Sequence, residues 1–174
     1  VASKWTITAV SEDGTSAKAA ENVAKAVDQV REKFPGMKMD MIRDIILSTA
    51  TDIGAAGVDD VFGYGLLDAT TALNGPKRLD YGTSKFYVPN TKTWVFKNNI
   101  YGSYTDLEKS GKGTLVLEGK NSFYKIKVDG GTLILKGYNT SRYETIIKNG
   151  TLDVKRKFTP RNIEIETDGT LITN

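Results

Sequence analysis

The chain has 174 residues, 39% of them hydrophobic and 26% charged, with a formal net charge of +3, a composition suited to one globular domain or two small ones with a real core. It has neither cysteine nor histidine, which excludes disulfides and thiolate chemistry and removes the commonest general base and metal ligand. No apolar run approaches the length of a membrane span and no basic-then-apolar leader opens the sequence, so the chain is not expected to cross a membrane and Val1 reads as an internal or processed start.

The charge is divided unevenly. Residues 1–75 hold 7 basic and 11 acidic side chains, whereas residues 76–174 hold 17 and 10. Such a division supports two structural units, expected over 1–76 and 77–174 because the pattern changes after Pro76. The lysines of the second unit are spread along strand-like segments, so they read as a solvated face that guards sheet edges rather than as a nucleic-acid surface.

In chain order, residues 4–10 (KWTITAV) are rich in β-branched and aromatic side chains and predict a strand. Residues 11–15 form a turn that runs through Gly14-Thr15-Ser16 into a helix over 16–33, ended by Phe34-Pro35-Gly36. Ala17, Ala20, Val23, Ala24, Val27, Val30 and Phe34 recur at spacings of three and four, opposite a charged stripe of Lys18, Glu21, Lys25, Asp28 and Glu32. Burying such ions unpaired costs on the order of several kcal/mol each. The stripe is therefore expected in water, with Ala20, Val23, Ala24, Val27 and Val30 buried against the apolar side chains of two later helices. Ser16, at the mouth of this helix, admits two readings. Its hydroxyl can cap the free N–H groups of the first turn, or it can be a nucleophile held beside backbone donors for an oxyanion.

Asp40 is a suitable N-cap for a second helix over 41–52, stopped by Gly54. A glycine-punctuated loop comes next over 57–65 (GVDDVFGYG), then a short helix over 66–73 closed by Asn74-Gly75-Pro76. After Pro76 the pattern changes. Strand-like pieces KFYV (85–88) and TWVFK (93–97) lead into a repeat, Gly113-Thr114-Leu115, Gly131-Thr132-Leu133, Gly150-Thr151-Leu152 and Gly169-Thr170-Leu171, with glycines 18, 19 and 19 residues apart. Each period holds a second alternating segment, YKIKV (124–128), ETIIK (144–148) or NIEIE (162–166). A fixed period of this length with two strands per repeat predicts a β-solenoid, in which stacked rungs build a core that no rung could bury alone. Leu115, Leu133, Leu152 and Leu171 should then stack inward on parallel rungs over 93–174. Asp129, Asp153 and Asp168 lie in or beside turns and read as turn residues rather than calcium ligands.

The run MIRDIILSTATDIGAAGVDDVFGYGLLDATTALNGP (41–76) resembles the C-terminal part of a subtilisin-like serine protease domain, in the form carried by bacterial autotransporters. Arg43, the Ser48-Thr49-Ala50 step, Asp52, Gly54, Gly57, Asp59, the block Gly63-Tyr64-Gly65-Leu66-Leu67-Asp68 and Ala72 carry the likeness, which extends back to Gly14. The family places its nucleophilic serine in a GTSxAxP segment at the start of a central helix. Gly14-Thr15-Ser16-Ala17-Lys18-Ala19-Ala20 is the equivalent, so the resemblance gives Ser16 the nucleophile position. The family's proline is absent, with Ala20 or Glu21 near its place, and alignment through Asn22-Val23-Ala24 leaves one extra residue after Ser16. Without that insertion Ala17 would occupy the position.

The fold implied is an α+β composite: a small helical remnant of a subtilisin-like α/β domain, then the start of a right-handed parallel β-helix, the β-solenoid stem of an autotransporter passenger. The function implied is peptide hydrolysis by a secreted or bacterial cell-surface serine endopeptidase, with a protein or peptide substrate and no metal or cofactor. The family's catalytic Asp and His and its oxyanion asparagine lie upstream of the serine, and only fifteen residues, none of them His, precede Ser16 here. Lys18 cannot replace the base, because residues two apart on a helix do not face each other. The chain alone is thus expected to be inactive, and the missing N-terminal protease portion or another chain is expected as its partner. The competing expectation is a non-catalytic surface adhesin or scaffold in which a protease remnant caps the solenoid.

Overall fold

The computed structural model describes residues 5–79, 82–166 and 168–173. Lys4 and Asn174, at the ends of the expected first strand and last rung, lie outside these.

Three helices come first, α1 (Ser16–Lys33), α2 (Met39–Thr49) and α3 (Ala69–Ala72). Helix α1 has the expected bounds, and its end is set by Pro35: Phe34 still donates its N–H to the Val30 carbonyl at 3.0 Å, and the chain then turns away. Its buried side differs from the expectation. Val30 and Phe34 are buried and Val23 and Val27 half-buried, but Ala20 and Ala24 are exposed, as is Ala17, and Ala26 is buried instead. The phase of the helix is set by its large side chains; alanine has too little surface to compete. Of the charged stripe, Glu21, Lys25, Asp28 and Glu32 are exposed and Lys18 is half-buried. Helix α2 starts at Met39, and Lys38 occupies its N-cap without a side-chain bond, so Asp40 stands in the first turn rather than at the cap. Helix α3 is shorter than expected because Asp68 takes the capping role, accepting from Thr71 N at 2.8 Å and Thr71 Oγ1 at 2.6 Å.

In place of a full first strand, residues 6–8 run extended beside 64–67 with a single parallel bridge, Thr8 to Leu66. Tyr64 N donates to Thr6 O at 2.9 Å, Thr8 N to Gly65 O at 2.9 Å, and Leu67 N to Thr8 O at 2.8 Å. Thr51 closes the other side of Leu66 through two 2.7 Å backbone bonds. This crowding explains the Gly-Tyr-Gly block: a Cβ on Gly63 would meet Thr6 O at 2.3 Å, and one on Gly65 would meet Thr51 O at 2.2 Å.

The rest is a parallel β-solenoid. One sheet holds β1 (Gly82–Tyr87), β3 (Tyr101–Ser110), β5 (Asn121–Asp129), β7 (Tyr138–Ile147) and β10 (Ile163–Ile165), with β9 (Lys157–Pro160) also pairing with β7. The second sheet stacks β2 (Thr93–Phe96), β4 (Thr114–Leu117), β6 (Gly131–Leu135), β8 (Gly150–Val154) and β11 (Thr170–Thr173). Leu115, Leu133, Leu152 and Leu171 are in register on adjacent rungs as expected, and Trp94 heads the column. Leu115, Leu133 and Leu152 are buried, and Leu171 on the last rung is partly so. The solenoid begins one strand earlier than the repeat suggested, at Gly82.

One hydrophobic cluster runs from Ala26 in α1 to Val154 in β8. At the join, Phe34 meets Trp94 and Phe96 edge-on, with ring centroids 6.4 and 5.3 Å apart, and Phe86 meets Phe96 at 5.3 Å. Phe34, just past the end of α1, thus packs against the first rung of the solenoid.

Candidate active site

The residues around Ser16 are positioned by the extended segment before them and by the helix after them. Asn22, one and a half turns into α1, donates from Nδ2 to the Val10 carbonyl at 2.9 Å and so ties the end of the segment to the helix. Asp13 organises the turn. Its Oδ1 accepts from Ser11 Oγ at 2.8 Å, Thr15 N at 2.9 Å and Thr15 Oγ1 at 2.7 Å. These donors, the Thr15 hydroxyl foremost, hold the Asp13 carboxyl below its usual range. Gly14 between them has φ 73° with open space around it, so glycine serves the backbone conformation here rather than clearance.

Thr15 is the N-cap: its Oγ1 accepts from Lys18 N at 3.2 Å, and its carbonyl accepts from Ala19 N at 3.2 Å. Ser16 is the first helical residue, and it is exposed. The capping reading of Ser16 is therefore corrected in favour of its neighbour. Among the described residues the N–H groups of Ser16 and Ala17, at the same mouth, meet no acceptor. A hydroxyl beside free backbone donors is the geometry that acyl transfer uses.

No base accompanies it among the described residues. Lys18 Nζ is committed to Glu21 at 3.0 Å, and Glu21 also holds Lys25 at 2.7 Å. Both lysines, with the Lys25 bond largest, keep the Glu21 carboxylate below its usual range. Asp13 is a poor base, since three donors already stabilise its anion and lower its basicity. A groove of about 460 Å³ between α2 and β1, lined among others by Trp5, Arg43, Ser48 and Tyr64, does not include Ser16. There Arg43 lies over the Trp5 ring at 4.1 Å and pairs with Asp44 at 2.7 Å. Asp13, Thr15 and Asn22 went unnoticed in the sequence as organisers of the turn, although an Asp two residues before a Thr that opens a helix is a legible turn-and-cap signal.

Asp129 is the last residue of β5, beside the bend at Gly130, and accepts from Asn149 Nδ2 at 2.7 Å. Asp153 lies within β8, beside the bend at 155–156 as expected, and pairs with Lys155 at 3.0 Å.

Residues 6–65 match the subtilase family (peptidase S8). They are subtilase sequence. The match takes in Ser16, begins earlier than the likeness read from Gly14, and so includes the extended segment that leads to the Gly-Thr-Ser turn. Among curated relatives, the Neisserial autotransporter lipoprotein NalP of Neisseria meningitidis is 42% identical over 68% of this chain and 12% of its own length. An extracellular serine protease of Serratia marcescens is 33% identical over 91% of this chain and 16% of its own length. Serotype-specific antigen 1 of Mannheimia haemolytica is 32% identical over 82% of this chain and 15% of its own length. The chain thus spans less than a fifth of each of these relatives. At 91% of the chain, the Serratia match takes in both the subtilase segment and the repeat-bearing half. Among the described residues no helix is long and apolar enough to cross a membrane.

Proposed function

We propose that this chain is part of a secreted or bacterial cell-surface subtilisin-like serine endopeptidase, and that Ser16 is its acyl nucleophile in the intact protein. The observation that carries this is the Ser16 hydroxyl: it stands at the mouth of α1 inside the subtilase match, and Thr15 relieves it of capping. The base, its orienting carboxylate and the oxyanion side chain come from the rest of the protease domain. That portion would cover the exposed alanines Ala17, Ala20 and Ala24 together with the exposed Val58 and Val61. The substrate class is protein or peptide, hydrolysed through an acyl-enzyme.

The test is a longer protein carrying the full protease domain. Ser16→Ala should lower casein hydrolysis by about a thousandfold or more, and a fluorophosphonate probe should label Ser16. Retained hydrolysis in the Ser16→Ala protein, or labelling of another residue, overturns the assignment.

The shared core favours a second role in the same protein. Because Phe34 and Trp94 pack together, the subtilase segment also caps the solenoid. If the Ser16→Ala protein kept its full biological effect at the cell surface, this capping module, and not proteolysis, would be the function.

A further inference from the structure

Independently of Ser16, the solenoid carries a groove of about 480 Å³ across the first residues of β3, β5, β7 and β9. Its floor is a ladder of hydroxyls. Tyr101 is in register with Ser122, Ser122 with Thr140, and Thr140 with Thr159, so one outward row crosses four rungs. Two residues earlier on each strand runs a second row, in which Tyr138 is in register with Lys157 and Lys120 precedes β5. Tyr101 and Tyr138 are 60% and 45% exposed, and Arg156 lies over the Tyr138 ring at 4.3 Å. Among the described residues no carboxylate lines the groove, and neither Lys120 nor Lys157 has one within ion-pair distance.

The rows are held from beneath. Asn121 and Asn139 are buried under the groove, and the Asn121 amide donates to Asn139 Oδ1 at 2.8 Å and to Gly119 O at 2.9 Å. The binding surface is therefore rigid before any ligand arrives, which lowers the cost of binding.

We infer that this groove binds a linear acidic oligosaccharide, its sugar rings lying against Tyr101 and Tyr138 and its carboxylates meeting Lys120 and Lys157. Rungs are about 4.8 Å apart, close to the length of one pyranose unit, so successive sugars meet an equivalent row on successive rungs. Tyrosine rings offer flat apolar faces with a polar tip. Thr140 Oγ1 donates to Asn121 O at 3.5 Å and Ser122 Oγ shares a bond with Ser103 Oγ at 3.2 Å, which leaves lone pairs on both for sugar hydroxyls to donate to, while the Thr159 hydroxyl can donate and accept. Lysine–carboxylate bonds are charge-assisted. A nucleic-acid strand would call for a run of cations tracking its phosphates, and here hydroxyls occupy those places.

The test uses the full chain titrated with hexagalacturonate by calorimetry, alongside cellohexaose and a single-stranded DNA oligomer. Saturable binding of the galacturonate is expected, weakening with salt. Lys120→Gln with Lys157→Gln, or Tyr138→Ala alone, should weaken it about tenfold, Tyr138→Phe should stay within about twofold, and Lys33→Gln on α1 should change nothing. The lysine pair is exposed and tests the site even if Tyr138→Ala fails to fold. No saturation by about 10 mM, equal binding of the neutral hexamer, tighter binding of the DNA, or indifference to the lysine substitutions would each overturn the inference. None of these outcomes bears on Ser16.

Discussion

Trp94 donates its indole N–H to the Pro35 carbonyl at 3.3 Å, so the residue that heads the leucine column of the solenoid also fastens the end of α1. The same Trp94 ring meets Phe34 edge-on. Helices and rungs therefore share one core, and the join should be part of a single folding unit.

Trp94→Ala or Phe34→Ala should each cost about 3–5 kcal/mol, the usual loss on removing a large aromatic from a packed core. In urea, the helical and sheet signals of the unsubstituted chain should be lost at one midpoint. Two separate transitions, or a Phe34→Ala variant whose midpoint is unmoved, would mean the helices sit on the solenoid without stabilising it.

Inside the solenoid, Asn121 accepts from Ile100 N at 2.9 Å and donates to Asn139, which in turn donates to Gly137 O at 3.0 Å. Both side chains are buried. Asn121→Leu leaves the Ile100 N–H and Asn139 Oδ1 without these partners, at about 1–3 kcal/mol for each group left unsatisfied. The double variant with Asn139→Leu should cost less than the two single costs added, because the bond between the asparagines is counted in both. Strict additivity in a denaturant series would show that the ladder does not act as a unit.

The solenoid was legible because its repeat is written in spacing. The Gly-Thr-Leu phrase places a leucine at the same point of each period, and parallel pairing is the result of stacking equivalent rungs. The first rung was less legible because Trp94 stands where later rungs have leucine, and β1 lacks the phrase. In α1 the length was readable but the phase was not. Alanines on both sides of the helix leave the choice to Phe34, whose partners Trp94 and Phe96 lie some sixty residues away. The place of Ser16 at the mouth of α1 was legible, whereas the capping by Thr15 was not, since both hydroxyl residues are eligible caps and only the Asp13 bonds decide between them.

That capping arrangement predicts a contrast. Thr15→Ala should cost about 0.5–2 kcal/mol by removing the cap. Ser16→Ala, at an exposed first position, should stay within about 0.5 kcal/mol. Thr15→Ser should behave as the parent. Chemical denaturation reads all three, and a larger loss from Ser16→Ala than from Thr15→Ala would return the cap to Ser16.

The purified chain should not turn over casein above background. Ser16 has free backbone donors nearby, but Lys18 is paired with Glu21 and the Asp13 carboxylate is weakly basic. A serine without a base is a weak nucleophile. Turnover that disappeared with Ser16→Ala would mean that a base is supplied within these 174 residues.

Lys109 supplies a pH-dependent prediction. Its side chain points into the solenoid in register with Phe86 on one side and Val128 on the other, and it is fully buried. Burial pushes the amine down to about 8, from the ordinary lysine value of 10.5. Three carbonyls, those of Ser110, Gly111 and Gly130, each accept from Nζ at 2.9 Å and pull the other way, since a neutral amine has only two N–H groups for them. With the folded value below the unfolded one, the unfolded chain binds the proton more tightly. Between about pH 8 and 10.5, then, unfolding takes up a proton at this site and its contribution to stability rises with pH, being lowest below 8 and level above 10.5. Lys109→Met keeps most of the apolar stem but has nothing to titrate. The difference in urea midpoint between parent and Lys109→Met should therefore shift in the parent's favour across this window, by less than burial alone would give. A constant difference from about pH 7.5 to 10.5 would mean that the three carbonyls fully offset burial and hold Lys109 as an ordinary ammonium ion.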